Sequence, residues 1–180
     1  MAKLKGTTIV SLRGIFKKNN LDADVLLKEK LSPELYTLFK TTLNVSWVPI
    51  ESTSQIIEAA AEILYPLNPQ KLFLLGKDKC ENDFKGMYKI LLPLFSMEMI
   101  FKQYARIFKT YHDTGSCSIE NIGQNSLIFF MHDYSECTPA VRQIVKGFCF
   151  HIAEMAGKKR IQVLLDEKDL RNWKYLIKWE

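Results

Sequence analysis

Near the end of the chain Trp173, Tyr175, Ile177 and Trp179 occupy alternate positions, separated by Lys174, Leu176 and Lys178. Successive side chains of an extended strand point to opposite faces, so this spacing gathers four large apolar groups on one side. A slip of one residue would expose all four, so the register is specified and the strand needs a covering layer.

The preceding segments supply that layer. Ile161, Val163 and Leu165 alternate before a turn near Asp169, and strands over 117–122 and 126–132 flank a Gly123-Gln124-Asn125 turn, which reads as a hairpin. Between the two strand pairs lies a helix from Pro139 to Ala156, closed by Gly157, with Val141, Ile144, Val145, Phe148, Ile152 and Met155 on one side. The result is an α+β protein: a C-terminal four-stranded antiparallel sheet in ββαββ order, packed with a helical N-terminal part.

From residue 6 to about 112 the apolar positions recur at helical spacing. Ile9, Leu12 and Phe16 mark a first helix. Asp22 caps a second through Leu31, and Ser32-Pro33 starts a third. Ser52 and Gln55 have capping-box spacing and predict the start of a helix that stops before Pro66. Asn68-Pro69 restarts the chain toward Lys79, and a further helix is expected from Phe84 to about Leu92. The clearest stripe, Met97, Ile100, Phe101, Tyr104, Ile107, Phe108 and Tyr111, predicts a core-facing helix to about His112, with Gly115 supplying a left-handed stop. The length of 180 residues suits one domain over 1–180, divided into a helical subdomain (1–113) and a ββαββ subdomain (114–180) that share a core.

The apolar fraction of 47% and charged fraction of 25% are those of a folded globular chain. A net charge of +5 is spread along the sequence, and its densest runs, Lys17-Lys18 and Lys158-Lys159-Arg160, follow helical segments whose C-termini cations complement. No basic stripe with aromatic interleaving accompanies them, so no nucleic-acid partner is expected. Neither a signal peptide nor a membrane span is recognisable, which predicts a cytoplasmic protein whose four cysteines are free thiols.

Motifs for nucleophilic catalysis and phosphate binding are missing, so the chain reads as a non-enzyme. The cysteines and histidines of the last third, among them Cys149 and His151 two apart on a helix, lack metal-ligand spacing, and no metal or cofactor is expected. Haem is the sharpest remaining cofactor, because one sensor family holds iron through a histidine on a helix above a four-stranded sheet. Only His112 is placed for that role, and no Tyr-x-Ser-x-Arg propionate clamp follows it.

Several landmarks carry a resemblance: Trp47-Val48-Pro49 before a helix, Leu75-Gly76-Lys77, the Tyr104 to Tyr111 helix running into Thr114-Gly115, Gly147-Phe148, Ala156-Gly157 and Tyr175-x-Ile177-x-Trp179. Together they resemble a bacterial family of uncharacterised function best known from myxobacteria. More distantly, the C-terminal half is similar to the fold shared by 4-vinyl reductase domains, haem nitric-oxide-binding domains and TRAPP vesicle-tethering subunits. That group implies sensors and scaffolds more than enzymes. Where 4-vinyl reductase domains carry a Gly-x-x-x-Cys-x-Phe type ending, this chain has Leu170-Arg171-Asn172-Trp173-Lys174-Tyr175, without the cysteine, and metal or thiol roles do not carry over.

Two functions of different class follow. One is a noncatalytic regulatory or sensor domain with an apolar pocket between helices and sheet, bordered by Trp47, Tyr104, Phe108, Tyr111 and His112 and holding a small hydrophobic ligand. The other is a protein-interaction or scaffold module, as a homodimer or with a protein partner, which needs a flat apolar patch and no cavity.

Overall fold

A computed structural model describes residues 1–84 and 90–180 of the chain. Among these residues are seven α-helices and six strands: β1 (Lys3–Lys5), α1 (Thr7–Lys18), α2 (Ala23–Lys30), α3 (Pro33–Thr41), β2 (Trp47–Pro49), α4 (Ile50–Leu64), α5 (Lys71–Asp83), α6 (Met97–Tyr111), β3 (Ser116–Gly123), β4 (Ser126–His132), α7 (Pro139–Met155), β5 (Gln162–Asp166) and β6 (Trp173–Lys178). A short 3-10 turn over Leu92–Leu94 precedes α6. The helix expected from Phe84 to Leu92 falls largely on residues 85–89, outside the described residues.

The large sheet is antiparallel throughout, in the order β3-β4-β6-β5. Its inner face carries Leu127, Phe129 and Met131 of β4 opposite Ile177, Tyr175 and Trp173 of β6, and all six are at most 2% exposed. Burying each such side chain contributes about 1.5–3 kcal/mol, which makes this the most expensive face to uncover. Trp179 packs against the same core from just beyond the strand, as the alternation requires. The two polar atoms that burial would orphan are bonded: Tyr175 donates its hydroxyl to the Arg142 carbonyl at 2.8 Å, and Trp173 Nε1 lies 3.5 Å from the Tyr134 carbonyl.

Local chemistry explains most helix starts. Asp22 accepts from the amides of Asp24 and Val25, and Ser32, Ser96 and Thr138 each accept from the amide three residues on. Each such cap is worth about 1 kcal/mol. The Ser52 capping box does not form, because α4 begins two residues earlier, at Ile50, with Pro49 at its cap. The preceding residues, Trp47–Pro49, are held extended by pairing with Lys3–Lys5, and the Ile50 amide donates to the Ala2 carbonyl at 2.9 Å. This two-stranded sheet lay below the resolution of periodicity, since three residues make no pattern.

The end of α6 also differs from expectation. The helix stops at Tyr111, and His112 turns extended to form a bridge with Leu4 of β1, while the Asp113 carboxylate accepts from the Lys3 amide at 2.7 Å. Gly115 is left-handed (φ 74°), as expected, but serves the turn into β3, where a Cβ would lie 2.7 Å from Cβ of Tyr134.

Helix α5 crosses α7 at two glycines. A Cβ on Gly76 would stand 2.2 Å from the Ile144 carbonyl oxygen, and one on Gly147 would stand 1.9 Å from that of Phe73. Both lie far inside contact distance and meet backbone rather than a movable side chain. Substituting Gly147→Ala is expected to lower unfolding stability by at least about 2 kcal/mol, measured by urea denaturation, although alanine is the better helix former. An unchanged midpoint would show that the crossing tolerates separation.

A candidate ligand cavity

Beside that crossing the described residues leave an open cavity of about 1040 Å³ between α1, α5, α6 and α7. This is at the upper end of the roughly 300–1,000 Å³ typical of small-molecule sites. Its walls are mainly apolar: Leu4, Val10, Ile57, Leu92, Ile100, Val141, Ile144, Val145, Phe148 and Ile152. The sheet lies behind this layer. Tyr104 and Phe148 stand between cavity and sheet, with the Tyr104 ring edge-on to Phe129 at 5.5 Å and tilted against Phe148 at 6.0 Å. The pocket expected between helices and sheet therefore lies among the helices, because α6 and α7 already cover the inner face of the sheet.

Polar groups stand on the wall. Where α1 meets the end of α5, Ser11 donates to Asp83 at 2.8 Å, Asn82 Nδ2 donates to Ser11 Oγ at 3.0 Å, and Lys79 pairs with Asp83 one turn away. Thr7 and Thr8, one turn before Ser11 on α1, also line the cavity, together with Asn44, Tyr111 and His112. Along α6, Met99, Gln103, Ile107 and Tyr111 recur every fourth residue and form one lip of the opening. Met99 (56% exposed), Ile107 (37%) and Tyr111 (38%) are thus partly open to solvent, whereas the helical stripe predicted Ile107 and Tyr111 to be core. A periodicity cannot separate a buried face from the rim of a cavity, since both want apolar residues.

His112 is 8% exposed, and its ring stacks on Phe108 with centroids 4.2 Å apart. Nδ1 lies 2.9 Å from the hydroxyl of Tyr134, a fully buried residue. That hydroxyl has no other partner among the described residues, and a buried phenolic O–H needs an acceptor. Nδ1 of the neutral ring accepts from that hydroxyl in one tautomer and donates to it in the other. Burial holds the ring neutral, lowering its pKa from 6.5 to about 3, with nearby Lys79 acting in the same direction and Asp113 opposing.

Of the residues singled out from sequence, Tyr104, Tyr111 and His112 line the cavity. Phe108 lies beneath His112, 2% exposed, and supports its ring. Trp47 stands apart on β2, 41% exposed, with the Lys5 ammonium 4.4 Å over its ring. Thr7, Thr8, Ser11 and the α7 wall escaped sequence reasoning because only the crossing of α5 over α7 brings them to one space. The four cysteines are free. Burial raises every one of their thiols, Cys117 and Cys137 to about 12, so all are protonated and unreactive near neutral pH. Among the described residues no group of three metal-ligating side chains converges, and no helix is long and apolar enough to cross a membrane.

No protein-family model matches the chain, and no curated protein matches it. Solved structures do share its fold. An H-NOX protein from S. oneidensis in the Fe(II)NO ligation state superposes with a TM-score of 0.69 at 12% identity, over 98% of this chain and 99% of that one. An Fe(II) unliganded H-NOX protein from K. algicida gives 0.66 at 13%, over 98% and 97%. An oxygen-binding H-NOX domain related to soluble guanylate cyclases gives 0.54 at 13%, over 97% and 92%. At these identities the likeness is one of fold. It supports an H-NOX-like fold, within the expected fold group.

A haem in this cavity would need an iron ligand and cations for its propionates from these side chains. An iron ligand needs a ring-nitrogen lone pair directed into the site. Nδ1 of His112 bonds the Tyr134 hydroxyl, which leaves Nε2 as the ring nitrogen for that role. Cations for propionates are committed: Lys79 of the cavity wall to Asp83, and the buried Arg142 to Glu167 at 3.0 Å and to the face of Trp173.

A depressed histidine pKa has a measurable sign. Between pH 6.5 and 3 the unfolded chain binds a proton at His112 that the folded chain refuses, so stability falls as pH falls through this window. Substituting His112→Gln removes the proton site while keeping an acceptor for Tyr134. The native protein is expected to lose about 2 kcal/mol more than the variant between pH 6.5 and 5, read from urea midpoints. Parallel pH profiles would place the His112 ring in solvent.

Proposed function

We propose that the chain is a noncatalytic small-molecule-binding sensor domain on the H-NOX fold, whose ligand is an apolar molecule held in the inter-helical cavity in place of haem. The observation that carries this reading is the cavity: about 1040 Å³ of mainly apolar wall, beside a helix crossing too tight to shift. A cleft of this size with a mainly apolar wall and a few polar groups suits a small apolar molecule. The scaffold alternative needs no such space. The solved structures that share the fold include an oxygen-binding domain and an Fe(II)NO complex, which supports ligand binding inside this architecture.

Interaction with a protein partner or a second copy is the runner-up, and the exposed lip of Met99, Ile107 and Tyr111 favours it. The two are separated by one variant. Val145→Trp places an indole into the cavity from α7 without touching the lip. The native protein is expected to bind the uncharged fluorescent probe N-phenyl-1-naphthylamine in the micromolar range, and the variant at least tenfold more weakly with unchanged circular dichroism. Added haemin is expected to give no histidine-ligated Soret band with either. Probe binding that ignores Val145→Trp would assign the apolar site to the surface lip, and a histidine-ligated haem spectrum would overturn the reading.

A further inference from the structure

The cavity keeps apolar side chains in water at its rim. Phe95, Met99, Ile107 and Tyr111 line it and are between 37% and 56% exposed. A second element does the same. Asn44 lines the cavity from the turn between α3 and β2, and its neighbours Leu43 and Val45 are 63% and 73% exposed. That turn is held closed by the Ser46 amide on the Leu43 carbonyl at 3.0 Å and by the Leu43 amide on Ser46 Oγ at 3.1 Å. Gly6 abuts the same carbonyl, where a Cβ would stand 2.1 Å from the oxygen, so the turn has no room to move inward on that side. Trp47, two residues beyond Val45, is also exposed and carries the Lys5 ammonium over its ring.

Charge follows the same edge. Lys102, Arg106 and Lys109 recur at four- and three-residue spacing and so form one row along α6, and Met99 adjoins that row, three residues before Lys102. Lys102 is paired with Glu98, whereas Arg106 and Lys109 have no acidic partner among the described residues. Exposed apolar groups edged by unpaired cations match an anionic lipid surface: the apolar groups enter the acyl boundary and the cations meet the headgroups. Tryptophan and lysine side by side suit that boundary, since each has an apolar body and a polar tip. A protein partner fits less well. The apolar groups come from two elements at the edge of an opening and make no continuous flat patch, whereas a fluid bilayer conforms to such an edge.

We propose that the cavity mouth docks on an anionic phospholipid bilayer, with Leu43, Val45, Met99 and Ile107 in the acyl boundary and Arg106 and Lys109 on the headgroups. This goes beyond the cavity being a ligand site and does not depend on what fills it. Docked in this way, the mouth gives an apolar ligand a route that avoids water. Helix α6 lies on the membrane and does not span it, in keeping with its 15 residues and its charged row.

The test is flotation of the native protein with vesicles of phosphatidylcholine alone and with about 30% phosphatidylserine added. The mixed vesicles are expected to bind it, at least about fivefold more tightly than phosphatidylcholine alone and about fivefold more weakly when salt rises from about 0.1 to 0.5 M. Two double variants change exposed rim residues only: Leu43→Ser with Val45→Ser, and Arg106→Gln with Lys109→Gln. Each is expected to weaken vesicle binding at least about fivefold with unchanged circular dichroism. Lys158→Gln with Lys159→Gln removes the same charge beyond α7, outside the rim, and is expected to leave binding within about twofold. The docking surface is wrong if the native protein binds neither vesicle or if either rim variant binds normally. It is equally wrong if the Lys158 and Lys159 variant loses as much as the Arg106 and Lys109 variant. A concentration-dependent dimer in sedimentation that the Leu43 and Val45 variant abolishes, without vesicle binding, would give the rim to a second copy. In buffer without vesicles both rim variants are expected to bind N-phenyl-1-naphthylamine within about twofold of the native protein, so docking can fail while the cavity reading stands. Vesicle binding that survives in Val145→Trp would leave docking standing without it.

Discussion

The distance between α5 and α7 is set by contact of backbone with backbone. Gly76 faces the Ile144 carbonyl and Gly147 faces that of Phe73, so the helices approach as closely as their main chains permit. This fixes α5 to the helix that lies on the sheet, and through α5 it fixes α1, whose Ser11 and Lys18 bond to Asp83 and Glu81. With three helices held this way, the residues around them have little freedom to collapse inward. The cavity is the volume left between this rigid crossing and α6.

Helix α6 is attached differently. Its start is capped by Ser96, and its end runs into His112, which is held by Leu4 on one side and Tyr134 on the other. Gly115 allows Tyr134 to approach that turn. The same few residues therefore anchor the cavity lip and join the N-terminal strand to the loop after β4.

The large elements were legible because they have strong periods and local signals. The β6 alternation marked the buried face, the Ser32-Pro33 pair and Pro139 marked helix starts, and the α6 stripe marked a long amphipathic helix. Legibility failed where structure depended on distant partners. Trp47–Pro49 is extended because Lys3–Lys5 pairs with it, and that pairing moved the start of α4 away from Ser52. Tyr104, Tyr111 and His112 were singled out because they lie on a strongly marked helix or at its end. Thr7, Thr8 and Val145 carry no local signal of a cavity, since threonine at a helix start and valine on a helix face have ordinary structural uses.

By itself, then, the sequence determined which segments are helix and strand and which faces must be covered, because side-chain period and capping are local properties of the chain. Only the tertiary structure decided that the described residues leave an open space beside α6 and that His112 lines it. Both depend on how closely two helices far apart in sequence can approach, and on which buried groups bond each other. Those are properties of the packed interior, where backbone contact and hydrogen-bond satisfaction leave one arrangement standing.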